Sequence, residues 1–250
     1  MNINNQDAYR EDLAYIHDVG FDHYVLNTLP GILDILKPRQ GGLILDLGCG
    51  SGLSTQALIN AGYQAIGIDI SAAMIEIARR RVPQATFYVD SLFKVELPRC
   101  WGAIAIGECL NYCFDPDIFD PDKSSEALQA FFQQMYAALT PGGHFIFDLL
   151  EASQSEQATQ GFAEGDDWLV LYEKQEDRTH QMLTRRITTL RKVGQMYRRD
   201  DETHQQRLYL AVEVESWLRR AGFDVATSDS YGLFKLPPHH RAFVACKPAR

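Results

Sequence analysis

The sequence predicts an α/β protein built on a doubly wound, mostly parallel sheet with helices on both faces. Two observations carry that expectation. From residue 43 to about 150, short apolar runs alternate with segments of helical period, the pattern of a parallel sheet covered on both sides. The first apolar run, Leu43–Leu47, passes directly into glycines at 48, 50 and 52. A loop with that much backbone freedom lies where such sheets bind ligands, at the carboxyl ends of the strands.

In chain order, residues 7–19 and 23–36 read as two helices, broken near Gly20 and ended by Pro38. Strands are expected over 43–47, 64–69, 85–90, 102–106 and 144–149, with helices over 54–61, 72–81 and 124–139 between them. In the last of these helices Leu128, Phe131, Phe132, Met135 and Leu139 share one face, and Pro141-Gly142-Gly143 is expected to stop it. Residues 151–165 turn polar and read as a loop. Residues 168–175, 182–192 and 195–199 carry β-branched and aromatic side chains with little helical period. They predict an antiparallel ribbon with a turn near Val193-Gly194-Gln195. Alternation along it puts Leu183, Arg185 and Ile187 on one face, where an inward arginine needs a partner. A helix over 211–221, closed by Gly222, and strands over 223–228 and 241–246 follow, with His239 and His240 in the loop before the last strand.

At 250 residues, 46% hydrophobic and 23% charged, the chain suits one globular domain. Its expected parts are a helical lid (1–40), a cofactor-binding half (41–150), an inserted β-ribbon covering the substrate (151–210) and a final helix with strands (211–250). A net charge of −9 argues against a broad phosphate-backbone footprint, so nucleic acid is not expected as a partner. The polar first ten residues and the lack of a long apolar run predict no membrane association and a cytoplasmic location. Five irregularly spaced cysteines read as reduced thiols. No metal site is expected, because Cys109 and Cys113 lack a second pair or a nearby histidine.

Three acids stand at the ends of the first three strands: Asp46, Asp69 and Asp90. An acid closing the second strand is placed to accept from both hydroxyls of a ribose, and one after the third from an adenine amine. Asp46 separates two cofactor classes. A carboxylate beside the loop repels a pyrophosphate and attracts an ammonium. The glycine spacing agrees, since Leu53 stands where a dinucleotide loop has its third glycine. S-adenosylmethionine, with an ammonium and a sulfonium, fits the three acids better than NAD.

These segments resemble the class I S-adenosylmethionine-dependent methyltransferases that act on small molecules. Ile44-Leu45-Asp46-Leu47-Gly48-Cys49-Gly50-Ser51-Gly52 is similar to that family's first motif, Gly67-Ile68-Asp69-Ile70-Ser71 to its second-strand acid, and Tyr88-Val89-Asp90-Ser91-Leu92 to its adenine segment. Ile104-Ala105-Ile106-Gly107-Glu108 sits where its fourth strand meets the substrate, and Leu139-Thr140-Pro141-Gly142-Gly143-His144 resembles its turn into the fifth. The resemblance implies a seven-stranded sheet with one antiparallel strand near the edge. It also implies transfer of a methyl group to nitrogen or oxygen of a small molecule. The cofactor set becomes Tyr15, Asp46, Gly48, Cys49, Gly50, Gly52, Asp69, Ile70, Met74, Asp90, Ser91, Leu92 and Gly107.

Methyl transfer needs a base only if the acceptor loses a proton. Glu108, Asp148 and His17 are the candidates, and Tyr112 is an orienting hydroxyl. Each also has a plain structural role open to it, as a capping acid or a packed histidine. Arg185 and Arg198, with Arg199 and His204 beside them, are placed to hold an acidic group of the acceptor, unless they form a solvated basic strand pair. The N-terminal helix, with Tyr9, Tyr15 and Phe21, is expected to cover the cofactor or to bury its aromatics on the sheet. A cofactor-binding sensor without transfer activity remains the alternative, and an NAD-dependent oxidoreductase the weaker one. Oligomeric state is not legible.

Overall fold

The computed structural model describes residues 8–37, 41–115, 121–153 and 158–249. Pro38, expected to end the second helix, lies outside them.

Seven strands form the main sheet, in the order β10-β13-β5-β4-β1-β2-β3. They are β1 (Leu43–Leu47), β2 (Gln64–Asp69), β3 (Thr86–Val89), β4 (Cys100–Ala105), β5 (Leu139–Leu150), β10 (Asp224–Ser228) and β13 (His240–Cys246). All neighbours pair in parallel except β13, which runs antiparallel to both β5 and β10. The antiparallel strand is thus one in from the edge, as the resemblance implies. After β1 the chain winds toward β2 and β3, and after β3 it returns to β4 and winds the other way. The crevice at the carboxyl ends of β1 and β4 is therefore the switch point where such sheets hold ligands.

Strand alternation divides the core between two layers. On one face Phe145 and Phe147 of β5 meet Phe131 and Phe132 of α5 (Pro121–Ala138) and Val214 and Leu218 of α6 (Ala211–Ala221). On the other, Ile146, Ile44 and Ile104 meet Ile32 and Leu36 of α2 (His23–Leu36) and Leu58 of α3 (Leu53–Asn60). Expected and observed elements agree closely here. The exception is Pro141-Gly142-Gly143, which is the opening of β5 rather than a turn before it. The register against β4 shifts between Cys100 and Gly102, and a Cβ on Gly143 would sit 2.4 Å from the Trp101 carbonyl oxygen. The three residues make a bulge.

The ribbon is larger than expected. It is a four-stranded antiparallel sheet of β6 (Thr159–Glu164), β7 (Trp168–Asp177), β8 (Met182–Val193) and β9 (Met196–Arg207). Strand β6 occupies residues read as loop. As an edge strand with mostly exposed side chains it needs no apolar pattern. Strand β9 runs eight residues beyond its expected end, because its inward positions are polar: Glu202, His204 and Gln206 are all buried. A small hairpin, β11 (Ser230–Tyr231) with β12 (Phe234–Lys235), was not expected.

Helix α1 (Glu11–Gly20) lies between this sheet and the main domain, and Leu13 and Ile16 pack on Trp168, Val170 and Ile187. The two alternatives for the N-terminal helix therefore merge. It covers the crevice and is also a load of buried apolar surface that the ribbon needs. Among the described residues no helix is long and apolar enough to cross a membrane, and no cluster of His, Cys, Asp and Glu suits a metal ion.

Candidate active site

The glycine loop starts where β1 ends, and two of its glycines are required, Gly48 by space and backbone conformation and Gly50 by conformation alone. Gly48 has φ +69, and a Cβ there would lie 2.4 Å from Cys109 Sγ on the opposite lip. Gly50 has φ +50, and its Cβ position opens toward Met74 Sδ at 4.0 Å. Its N–H donates to Asp69 Oδ2 at 2.8 Å, and the Ser71 N–H donates to Oδ1 at 2.8 Å. Asp69 thus holds the loop in place while facing the crevice. Burial raises its carboxyl above the ordinary range, against those backbone donors.

Asp46, fully buried at the end of β1, accepts from the hydroxyls of Ser54 and Thr55 in the first turn of α3. Burial pushes it up to about 6, with the Thr55 and Ser54 hydroxyls opposing. Among the described residues neither carboxylate has a cationic partner. One buried and one half-buried acid facing one cavity without a counter-charge suit a ligand that brings its own cation.

The cavity has a volume of about 700 Å³, within the range of small-molecule sites. Asp46, Asp69 and the glycine loop line one end. Leu13, Phe21, Val170, Tyr172 and Ile187 line the other. A strap before α1 closes it. The N–H groups of Tyr9 and Arg10 each donate to Glu202 at 2.8 Å, Ser71 Oγ donates to the Tyr9 carbonyl at 2.8 Å, and Arg10 pairs with Asp200. The Tyr9 ring enters the cavity, with its Oη 3.0 Å from that of Tyr112.

Glu108 is the hub between the two ends. It stands after β4 at φ +62, in a turn held from behind by Asp148, which accepts from the N–H groups of Gly107 and Glu108 at 3.1 and 2.8 Å. Its carboxylate accepts from Gln206 Nε2 at 2.6 Å, Arg185 Nη2 at 3.3 Å and His240 Nε2 at 2.7 Å. Burial would raise Glu108, but the His240 bond and the Arg185 charge prevail and hold it at about 2. His240 Nδ1 lies 3.0 Å from the Pro238 carbonyl, so both ring nitrogens face acceptors, an arrangement that favours the protonated ring. Its pKa is raised because the Glu108 contact outweighs burial. Arg185 also donates to Tyr112 Oη at 3.1 Å.

Of the expected cofactor residues, Asp46, Gly48, Cys49, Gly50, Asp69, Ile70, Met74, Ser91, Leu92 and Gly107 line this cavity. Asp90 and Gly52 do not. Asp90 Oδ1 accepts from the Ser91 N–H beside it, and Gly52 caps α3 behind the loop. Tyr15 is corrected. It lies two residues and so about 200° around the helix from Leu13, with its hydroxyl 3.1 Å from Asp167 and Arg191 over its ring. Tyr9 takes the place expected of it.

Arg198 is also corrected. It shares the inward parity of Arg185 but pairs with Arg191, six residues and about 20 Å further along the sheet. There it binds Asp12 and Glu11 of α1. Arg185 does point inward, yet its charge goes to Glu108, so the acidic-group clamp expected of these arginines is not built. Asp148 is no base. It is fully buried behind the turn, and it also accepts from Tyr231 Oη at 3.3 Å. His17 lines the cavity, but burial lowers it to about 4. Lys174, Tyr172, Gln206 and His240 were missed. Period two along β7 put Val170, Tyr172 and Lys174 on one face, and that signal was available.

Residues 44–143 match the methyltransferase domain family. Over that stretch the chain carries a methyltransferase domain. Its fold is close to that of an S-adenosylmethionine-dependent methyltransferase from Clostridium acetobutylicum, with a TM-score of 0.77 over 94% of this chain and 97% of that one. At 19% identity this shows the fold alone. The S-adenosylmethionine-bound amino pentose methyltransferase CalS10 from Micromonospora echinaspora gives a TM-score of 0.65 at 16% identity, covering 92% and 91% of the two chains. S-adenosylmethionine is the cofactor of this domain family. Among relatives in sequence, the putative methyltransferase YqeM of Bacillus subtilis is 24% identical over 86% of each chain. The 18S rRNA (guanine-N(7))-methyltransferase RID2 of Arabidopsis thaliana is 34% identical over 127 residues, 47% of this chain and 42% of its own length. The chain spans less than half the length of that plant protein.

That relative, and others of the same name in Dictyostelium discoideum and Mus musculus, overturn the expectation that nucleic acid is excluded as a partner. The physical reason is that net charge sums the whole surface, whereas an acceptor base is read by a local pocket.

Proposed function

We propose that this chain transfers a methyl group from S-adenosylmethionine to a nitrogen or oxygen of a small-molecule acceptor. The lining of the cavity is the observation that supports this most. The strap, α1 and the inner face of the ribbon stand over the glycine loop and line a half-open cleft with aromatic and aliphatic walls, as suits a discrete small ligand. In this reading Asp46 meets the ligand's ammonium, Asp69 its ribose and Ser91 with Leu92 its adenine. S-adenosylmethionine supplies a carbon already activated for displacement by its sulfonium. The residues of the chain bind, align and exclude water. Five free cysteines fit a reducing, cytoplasmic setting.

A turnover screen tests the reading. With S-adenosylmethionine as donor, release of the demethylated thioether is followed over amino sugars, aromatic amines, phenols and a guanine-containing RNA oligomer. Turnover of one of the small molecules is expected. Turnover of the RNA alone would overturn the small-molecule acceptor and keep the methyltransferase.

Two further outcomes are expected. Tyr9→Ala removes the ring that enters the cavity but keeps the strap's backbone bonds to Glu202. Calorimetry with S-adenosylmethionine should show binding about tenfold weaker, some 1.4 kcal/mol, with the melting temperature nearly unchanged. Trp168→Ala instead strips the inner face on which α1 rests. Phe and Trp truncations in cores cost about 3–5 kcal/mol, so thermal unfolding should shift strongly downward.

A further inference from the structure

We infer that Lys174 is the proton acceptor of the transfer reaction, its Nζ taking the hydrogen that the acceptor's amine or hydroxyl gives up. The inference rests on the methyl-transfer reading above and adds a catalytic residue to it. Lys174 of β7 stands directly opposite Arg185 of β8, and directly opposed residues share one face of the sheet, with Cβ atoms about 5 Å apart. Both side chains line the cavity. Arg185 is committed to Glu108 and Tyr112. Lys174 has no carboxylate within ion-pair distance among the described residues, and its ammonium lies 5.4 Å from the centre of the Tyr172 ring.

Two cations side by side in a half-buried pocket oppose each other, and a guanidinium does not give up its proton. The lysine is the one that yields. Burial, then the Arg185 charge, lower its pKa, while Glu108 opposes them. Other groups around the cavity are committed elsewhere. Glu108 already accepts from three donors, both nitrogens of His240 are taken by Glu108 and the Pro238 carbonyl, and His17 is too weak a base at neutral pH. The phenols of Tyr9 and Tyr112 are both raised by burial. His23 is exposed at the start of α2. Asp115, at the far wall, pairs with Lys94.

The step balances. A lone pair on the acceptor nitrogen or oxygen forms the bond to the methyl carbon, and the carbon–sulfur bond breaks with its pair left on sulfur. The acceptor's N–H or O–H proton passes to the lone pair of neutral Nζ, which becomes an ammonium and later loses the proton to water.

The test has two arms. In full-length protein labelled with ¹³C at the lysine side chains, an NMR pH titration is recorded for the native chain and for Lys174→Arg, which deletes one signal and so assigns it. That signal is expected to titrate at lower pH than the other lysines. Titration together with them, near the ordinary value of about 10.4, would overturn the proposal. In the second arm, an acceptor from the screen is used with Lys174→Arg and Lys174→Gln. Both are expected to lower kcat about 100-fold with KM little changed. Activity kept by the arginine variant and lost by glutamine would mean that Lys174 holds an anionic group, and the base assignment would fall. S-adenosylmethionine binding by the native chain is measured alongside. Its absence would defeat the methyl-transfer reading itself, whereas binding with unaltered kcat in both variants would defeat only the role of Lys174.

Discussion

Asp46→Asn is expected to weaken S-adenosylmethionine binding by about 100-fold while leaving the ligand-free protein at least as stable. The magnitude follows from the loss of a charge-assisted contact to the ligand's ammonium, about 1.5–3 kcal/mol. The unchanged stability follows from burial. A carboxyl raised to about 6 in the folded chain binds its proton more readily there than when unfolded. The sign is that of a raised acid: as pH climbs from its unfolded value through 6, the folded state loses stability it had when Asp46 was protonated. A ligand cation reverses that pressure by favouring the carboxylate. Binding near pH 6 should therefore expel a proton from Asp46, and affinity should rise as pH passes through 6. Calorimetry in two buffers of different ionisation enthalpy measures the released proton, and the release should vanish in Asp46→Asn.

Glu108→Gln is expected to be the most damaging single substitution at the site. It leaves the largely buried Arg185, and His240 beside it, facing a neutral amide, and breaking a fully buried ion pair costs about 3–5 kcal/mol, an upper bound for this one. Denaturant unfolding should show a loss within that bound, partly recovered by adding Arg185→Met, since neighbours in one network are not additive. The pH dependence follows the lowered acid. Glu108 sits at about 2 in the folded chain, so its contribution is in full force above the ordinary glutamate value and drains away as pH falls toward 2. The native chain should lose stability over that acid interval, and Glu108→Gln should lose less of it.

The cofactor half was legible because its signals are local. Glycines at 48 and 50 hold left-handed backbone within the loop itself, and Asp69 closes its strand within reach of that loop. The acceptor side was legible only in part, because its signals are long-range. Arg185 was rightly placed inward, but its partner Glu108 lies 77 residues away. Arg198 has the same parity, and only the length of the ribbon separates it from the cavity. Strand β9 hides its inward face behind Glu202, His204 and Gln206, polar residues whose partners lie far off in sequence: the Tyr9 and Arg10 N–H groups bond Glu202, and Gln206 Nε2 bonds Glu108. No hydrophobic pattern marks such a strand. Asp148 and Tyr15 lie off the cavity wall, and a residue one step from that wall looks, in sequence, like one on it.

Calorimetric titration of the native chain with S-adenosylmethionine at pH 6 is the most direct test of the reading built on Asp46 and Asp69. One ligand should bind per chain, with up to about half a proton released to the buffer, and NAD should give no heat of binding. Heat from NAD and none from S-adenosylmethionine would contradict it.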